Sequence, residues 1–358
     1  MRRAIWRISS SICMLAIATL VVSVPALSTE AERVKVTMDT SEAEAVLAIL
    51  SKRASNETIS DQEWGALFNT EPYKRLQKRE AAMHRPFTDQ EFKAFVLSPE
   101  LAKRRQSLEG TLASWRKADL QAAGRRVLAY LPGDAHIRAK VYIMIKPLKN
   151  SFVFELDTDP AIFLYLNPEV TSAEFENTVA HECHHVGFRS VSAELKWKSE
   201  ELKPAQKSAL EWMGAFGEGF AMLAAAGSPD VHPQATHKLK DRERWDRDMA
   251  NFNRDLRSLE NFFMDVISGK LKTEEEIDEK GFSFFGYQGP WYTVSYRMAV
   301  VIEKAEGRDV LIQCMLDPRQ FIRHYNRDAS ALNEKADDKL ALWSQDLLDA
   351  LQQTPKEK

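Results

Sequence analysis

Hydrophobic positions in the first third of the chain recur at helical spacing, and polar caps divide them into segments. Ser41-x-x-Glu44, Ser60-x-x-Glu63 and Thr88-x-x-Glu91 each offer the reciprocal side-chain and backbone bonds of a capping box, so each marks a helix start. Helical patterns continue over Ala102 to Trp115 and Leu120 to Leu131, and Pro132-Gly133 ends the run. Residues 38 to 131 therefore read as a helical region. The pattern then changes. Lys140 to Ile145, Ser151 to Leu156 and Ala161 to Leu166 are short runs rich in β-branched and aromatic residues, separated by Pro, Asn and Asp, and read as three strands.

Helical spacing returns at Thr171-x-x-Glu174, a fourth capping box, with Phe175, Val179 and Cys183 at i, i+4 and i+8 on one buried stripe. Gly187 is the expected stop for this helix. Leu210 to Leu223 forms a mostly apolar helical stretch. Further on, Trp245, Met249, Phe252, Leu256, Leu259, Phe263 and Val266 repeat at alternating steps of four and three. That spacing predicts one long amphipathic helix packed against the core, because too few heptads are present to favour a dimerising coiled coil. The chain is thus α+β and mainly α-helical, with a small sheet ahead of the helix that opens at Thr171. Three regions follow: 1–28, a helical region over 29–135, and a core over 136–358 that carries the C-terminal helices. No internal repeat, low-complexity tract or glycine-rich phosphate loop interrupts them.

The chemistry lies in the helix after the strands. His181-Glu182-Cys183-His184-His185 places two imidazoles one helical turn apart with a carboxylate beside them, which suits a zinc ion and the water it activates. A bare His-Glu-x-x-His arises by chance in about one chain in a hundred of this length, so its mid-helix setting matters. His184, at i+3 from His181, is expected beside the site or exposed, and Cys183 packs as a small hydrophobe with Phe175 and Val179. A catalytic zinc normally takes three protein ligands and leaves one position to water. The metzincin continuation is absent, since Phe188 and Val191 stand where its glycine and third histidine would be. Glu194, Glu200, Glu201, Glu211 and Glu218 are the remaining candidates. The first three fall in a Lys/Glu-rich, solvated run, whereas Glu218 sits in the apolar stretch, where an ionised carboxylate is costly unless something neutralises it. Its neighbours Gly217 and Gly219 suit close helix approach.

His-Glu-x-x-His on one helix with Glu218-Gly219-Phe220-Ala221 on a second resembles the pattern of gluzincin-like bacterial zinc-dependent peptidases. The likeness extends to Trp64-Gly65-Ala66-Leu67-Phe68, Glu71-Pro72-Tyr73-Lys74-Arg75-Leu76, Arg79-Glu80, Trp291-Tyr292, Asp317-Pro318 and Phe321. It implies a zincin-like core, one zinc per chain held by His181, His185 and Glu218, and Glu182 as the catalytic carboxylate acting on a peptide or protein substrate. One departure is Ser295, where a Tyr-x-x-Gly pattern would have glycine. In the glycine-rich, aromatic segment Gly281 to Tyr292, read as a loop lining a cleft, Tyr292 is the first candidate to stabilise an oxyanion and Tyr287 the second. A zinc-binding regulator with little turnover and a hydrolase of non-peptide amides or esters are the rival readings.

The N-terminus sets the compartment. A short basic stretch, Met1 to Arg7, precedes an apolar run from Ile8 to Val24 and a small-residue site ending at Ala26 or Ser28, the form of a signal peptide. Export to the periplasm or outside the cell is expected, with an uncleaved anchor as the alternative. Without the three arginines of that segment the formal net charge moves from −3 to −6, which disfavours nucleic acid as a partner. Two cysteines then remain, Cys183 and Cys314.

Overall fold

The computed structural model describes residues 30–193 and 195–352. The signal-peptide reading falls on residues outside these, as does Glu194. The protein is α+β and mainly helical, built on one four-stranded sheet in the order β1-β2-β4-β3, with β1 Val34–Asp39, β2 Ile137–Met144, β3 Phe152–Phe154 and β4 Ala161–Tyr165. β1 and β4 flank β2 in parallel, and β3 pairs antiparallel with β4 as one edge of the sheet. All five residues of β4 are buried, which is why that run is continuously apolar.

β1 is an addition to the strands read from sequence. Val34 and Val36 are buried and Met38 packs half-buried against the core, with Lys35 exposed between the valines, so the segment is short and has no continuous apolar run. Its pairing partner, Ile137, lies about a hundred residues away in sequence.

Six helices occupy the N-terminal part between β1 and β2, from Ser41–Ala54 to Leu120–Leu128. The capping boxes at Ser60 and Thr88 form, but Ser41 is not a cap: Thr40 precedes the helix, and its hydroxyl donates to Glu44 instead of accepting an amide. Trp64, Phe68, Tyr73, Phe87, Phe92 and Phe95 make a chain of ring contacts in this part.

The helix Ser172–Ser192, here the motif helix, packs on both β2 and the helix Leu120–Leu128. Its start is fixed by the Thr171 hydroxyl, which accepts the Glu174 amide, and by Phe175 stacked on Trp115 at 4.3 Å. Gly187 does not stop it. A Cβ there would lie 2.3 Å from Leu131 Cδ1 and 3.0 Å from Ile137 Cγ1, so glycine serves close packing and the helix runs on to Ser192.

The four-three repeat from Trp245 to Val266 also resolves differently from the single helix expected. It forms two helices, Leu239–Met249 and Phe252–Ile267, broken at Ala250-Asn251. Both press their apolar faces on the helix Pro290–Glu306, where Trp245 meets Tyr296 and Phe262 and Phe263 meet Trp291. One straight helix is not needed when a bend keeps both halves on the same partner. Among the described residues no helix is long and apolar enough to cross a membrane, and Cys183 and Cys314 are buried free thiols.

Candidate metal centre

His181 and His185 project from the same face of the motif helix, as i and i+4 must. Their Nε2 atoms are 3.1 Å apart. Glu218 reaches them from a second helix, Gly217–Ala226, its Oε2 lying 3.1 Å from His181 Nε2 and 3.3 Å from His185 Nε2. These three side chains form the one group of potential metal-holding residues among those described. Ligand atoms placed tetrahedrally at about 2.0–2.1 Å from an ion are separated by about 3.3–3.4 Å, so the triangle has the size that a tetrahedral zinc requires, and two imidazoles with a carboxylate are a zinc donor set.

The second helix comes close because it is built from small residues. Gly219, Ala221, Ala224 and Ala225 are all buried between the motif helix and Pro290–Glu306. At Gly219 an added Cβ would fall 2.1 Å from both Ser295 Oγ and the Tyr296 nitrogen. Gly217 has no such neighbour and faces the cleft.

Electrostatics follow from partial burial of opposite charges. Burial works to raise the Glu218 pKa, but the His185 charge and hydrogen bonds from both imidazoles hold it well below the usual carboxylate range. For His185 burial works downward and is outweighed by Glu218, so its pKa is pushed up to about 9. Glu182 is raised, chiefly by burial and against the pull of the two imidazoles. The Tyr292 phenol is raised well above its ordinary value by burial, and then by Glu218 and Glu182.

A cleft of about 860 Å³ contains His181, Glu182, His185, Glu218 and Tyr292. The Tyr292 ring lies nearly parallel to that of His181, centroids 6.2 Å apart. Tyr292 is the third residue of the helix Pro290–Glu306 and not part of a loop; within the segment read as a loop, Gly281 to Ser283 also end a helix, Glu274–Ser283. Phe282 and Phe285 line the cleft with it. Tyr287 does not. It is largely exposed, with the Arg244 guanidinium 4.2 Å from its ring centroid.

The other glutamates stay apart from the imidazoles. Glu200 makes a two-pronged pair with Arg319, Glu201 is exposed, and Glu211 lies exposed where it borders the cleft. His184 is fully buried and outside the cleft, its pKa lowered well below the ordinary value by burial and then by the neighbouring imidazoles. Cys183 is buried with Phe175 and Val179, and burial pushes its thiol up.

Several cleft residues were not singled out as site residues from sequence. Arg189 could have been, since it follows His185 by four and must share its helical face. Phe152, Trp197, Lys198 and Cys314 carry no local signal, because only the fold brings them to the same cavity.

A family model described as "Putative zinc dependent peptidase (DUF5700)" matches residues 64–334. No curated protein and no solved structure matches the chain.

Proposed function

Since the chain belongs to this family of zinc-dependent peptidases, matched over about three quarters of its length, we propose that it hydrolyses peptide bonds at a gluzincin-type site. In this reading His181, His185 and Glu218 hold one zinc ion, Glu182 is the general base and Tyr292 the oxyanion donor. The observation that carries it is the triangle of 3.1, 3.1 and 3.3 Å between the three candidate ligand atoms.

Zinc, when bound, supplies Lewis acidity toward the scissile carbonyl and toward the attacking water. The remaining work falls to this chain's side chains. Glu182, made more basic by burial, takes the proton of the attacking water and returns it to the leaving amine. Tyr292 stays protonated throughout the physiological range, so its hydroxyl can donate to the oxygen on which negative charge develops. Phe152, Phe188, Phe282 and Phe285 give the cleft aromatic walls that exclude water and receive apolar side chains of an extended substrate. The basic and then apolar leader at residues 1–28 supports action outside the cytoplasm.

The test is elemental analysis of the mature protein purified without added metal, beside Glu218→Ala and Glu182→Ala, followed by cleavage of a peptide library. About one zinc in wild type and in Glu182→Ala, far less in Glu218→Ala, and cleavage by wild type alone is the expected result. Wild-type protein without zinc, even after reconstitution, would overturn the reading.

A further inference from the structure

One end of the cleft is cationic. Arg189 lies on the motif helix one turn beyond His185, and Lys198 approaches it from the short 3-10 helix Lys196–Ser199; both line the cleft. The Lys198 ammonium donates to the Ser192 carbonyl at 2.8 Å, which fixes it near the guanidinium, and its pKa is lowered first by burial and then by Arg189. Like charges brought together at the wall of a largely apolar cavity oppose folding unless an anion joins them.

One anion is already there. The Arg189 guanidinium donates to the carboxylate of Asp157, on the turn after β3, and Lys198 acts on that carboxylate as well. Asp157 keeps 67% of its side chain exposed and borders an adjoining pocket that shares Arg189 with the cleft, so the pair is a salt bridge of the exposed kind. Glu211, which lines the cleft itself, is the other acid within range of Lys198. Asp157 thus shows that the pair accepts a carboxylate, from a residue that solvent can replace.

We propose that Arg189 and Lys198 form a subsite for a carboxylate of the substrate, which displaces Asp157 on binding. The proposal rests on the peptidase reading above and adds the substrate class. Four helical residues separate His185 from Arg189, a rise of about 6 Å. An extended peptide advances about 3.3–3.6 Å per residue. The carboxylate therefore lies one or two residues from the bond cut. A peptide's C-terminal carboxylate at that distance gives release of one residue or a dipeptide from the C-terminus, and an acidic side chain supplies the same chemistry in a longer substrate.

The experiment uses three amino-terminally dye-labelled hexapeptides of alanine and phenylalanine: the free acid, its C-terminal amide, and the amide with glutamate second from the end. They are offered to the zinc-replete wild type and to Arg189→Gln, Arg189→Lys, Lys198→Gln and Asp157→Asn. Wild type should cleave the free acid at least about tenfold better than the plain amide in kcat/KM, as expected for one charged hydrogen-bonded contact, shortening it by one or two residues. Arg189→Gln and Lys198→Gln should erase that ratio through KM, Arg189→Lys should retain part of it, and Asp157→Asn should lower KM for the free acid. If the glutamate-bearing amide is preferred over the free acid, the carboxylate comes from a side chain. Equal cleavage of all three peptides, or an unchanged ratio in Arg189→Gln, overturns the subsite. Should wild type cleave none, anisotropy with Glu182→Gln separates the two readings. Tighter binding of either carboxylate-bearing peptide than of the plain amide, lost in Arg189→Gln, keeps the subsite while the peptidase reading falls. Equal binding or none overturns the subsite.

Discussion

The backbone N–H of Gly219 donates to the Ser295 hydroxyl across 3.0 Å, and that hydroxyl donates in turn to the Trp291 carbonyl. Glu218 directly precedes Gly219, and Tyr292 directly follows Trp291. A buried bond therefore fixes a candidate metal ligand against a candidate oxyanion donor, although they lie on different helices. Serine is tolerated where the family resemblance led us to expect glycine because the opposing residue, Gly219, has no Cβ to contest the space.

Gly219→Ala should be far more damaging than its smallness suggests. The new Cβ would meet the Tyr296 backbone nitrogen and Ser295 Oγ at 2.1 Å, and a helix backbone cannot step aside cheaply. Overpacking of this kind costs about 1–3 kcal/mol, and here the shift also moves Glu218 away from the imidazoles. Urea unfolding should show that loss, with zinc content well below one per chain. Gly217→Ala, where nothing lies within 4 Å, should keep both close to wild type. A Gly219→Ala protein that retains full zinc would refute this account of how the carboxylate is positioned.

Tyr292→Phe removes one hydroxyl and leaves the ring beside His181. If the hydroxyl acts on the transition state alone, kcat should fall by about 10²–10³ with KM and zinc content nearly unchanged. Steady-state kinetics with metal analysis decides this. An unaltered kcat would remove Tyr292 from the mechanism, and lost zinc would make its role structural.

Local pattern made much of the site readable. His181, Glu182 and His185 fall within five consecutive residues of one helix, and Glu218 stood out as an acid in an apolar stretch. The convergence of these two segments needed the Glu218 helix to pack at once on the motif helix and, through Gly219 against Ser295, on Pro290–Glu306, which no spacing rule contains. Arg189 was within reach of periodicity. Lys198 and Phe152 were not, since a 3-10 turn beyond the end of the motif helix folds the first back and an edge strand brings in the second. In the fold, capping boxes located the helices at Ser60 and Thr88, whereas β1 was missed because two inward valines become a strand only when Ile137 pairs beside them.

Zinc affinity should rise steeply with pH. In the metal-free protein His185 is raised to about 9, so the stabilisation it gains from Glu218 is complete below pH 6.5 and lost as pH rises through 9. Glu218 is depressed, and its share is present above pH 4.5 and lost as pH falls through its folded-state pKa. Zinc needs the imidazole neutral and displaces that proton, so affinity should increase by about tenfold per pH unit between 6.5 and 9. Chelator competition at three pH values across this interval measures the slope. A flat response would mean that His185 is already neutral.

Glu42 gives a stability test away from the site. Its side chain is fully buried, Oε2 accepts the Ile145 amide at 2.9 Å, and burial outweighs that bond and nearby Lys146 to push the carboxyl up to about 8. A raised acid reverses the usual sign. The folded state holds a proton that the unfolded state releases above pH 4.5, so stability falls as pH rises from 4.5 to 8. Glu42→Gln keeps the acceptor and has nothing to ionise. Its unfolding free energy relative to wild type should therefore climb across that interval, by up to about 1.4 kcal/mol per pH unit. Glu42→Ala leaves the Ile145 N–H unpaired and should cost about 1–3 kcal/mol even at pH 5. Urea titrations at pH 5, 7 and 8.5 distinguish these cases, and a pH-independent difference between Gln and wild type would show that Glu42 ionises normally where it lies between the first long helix and β2.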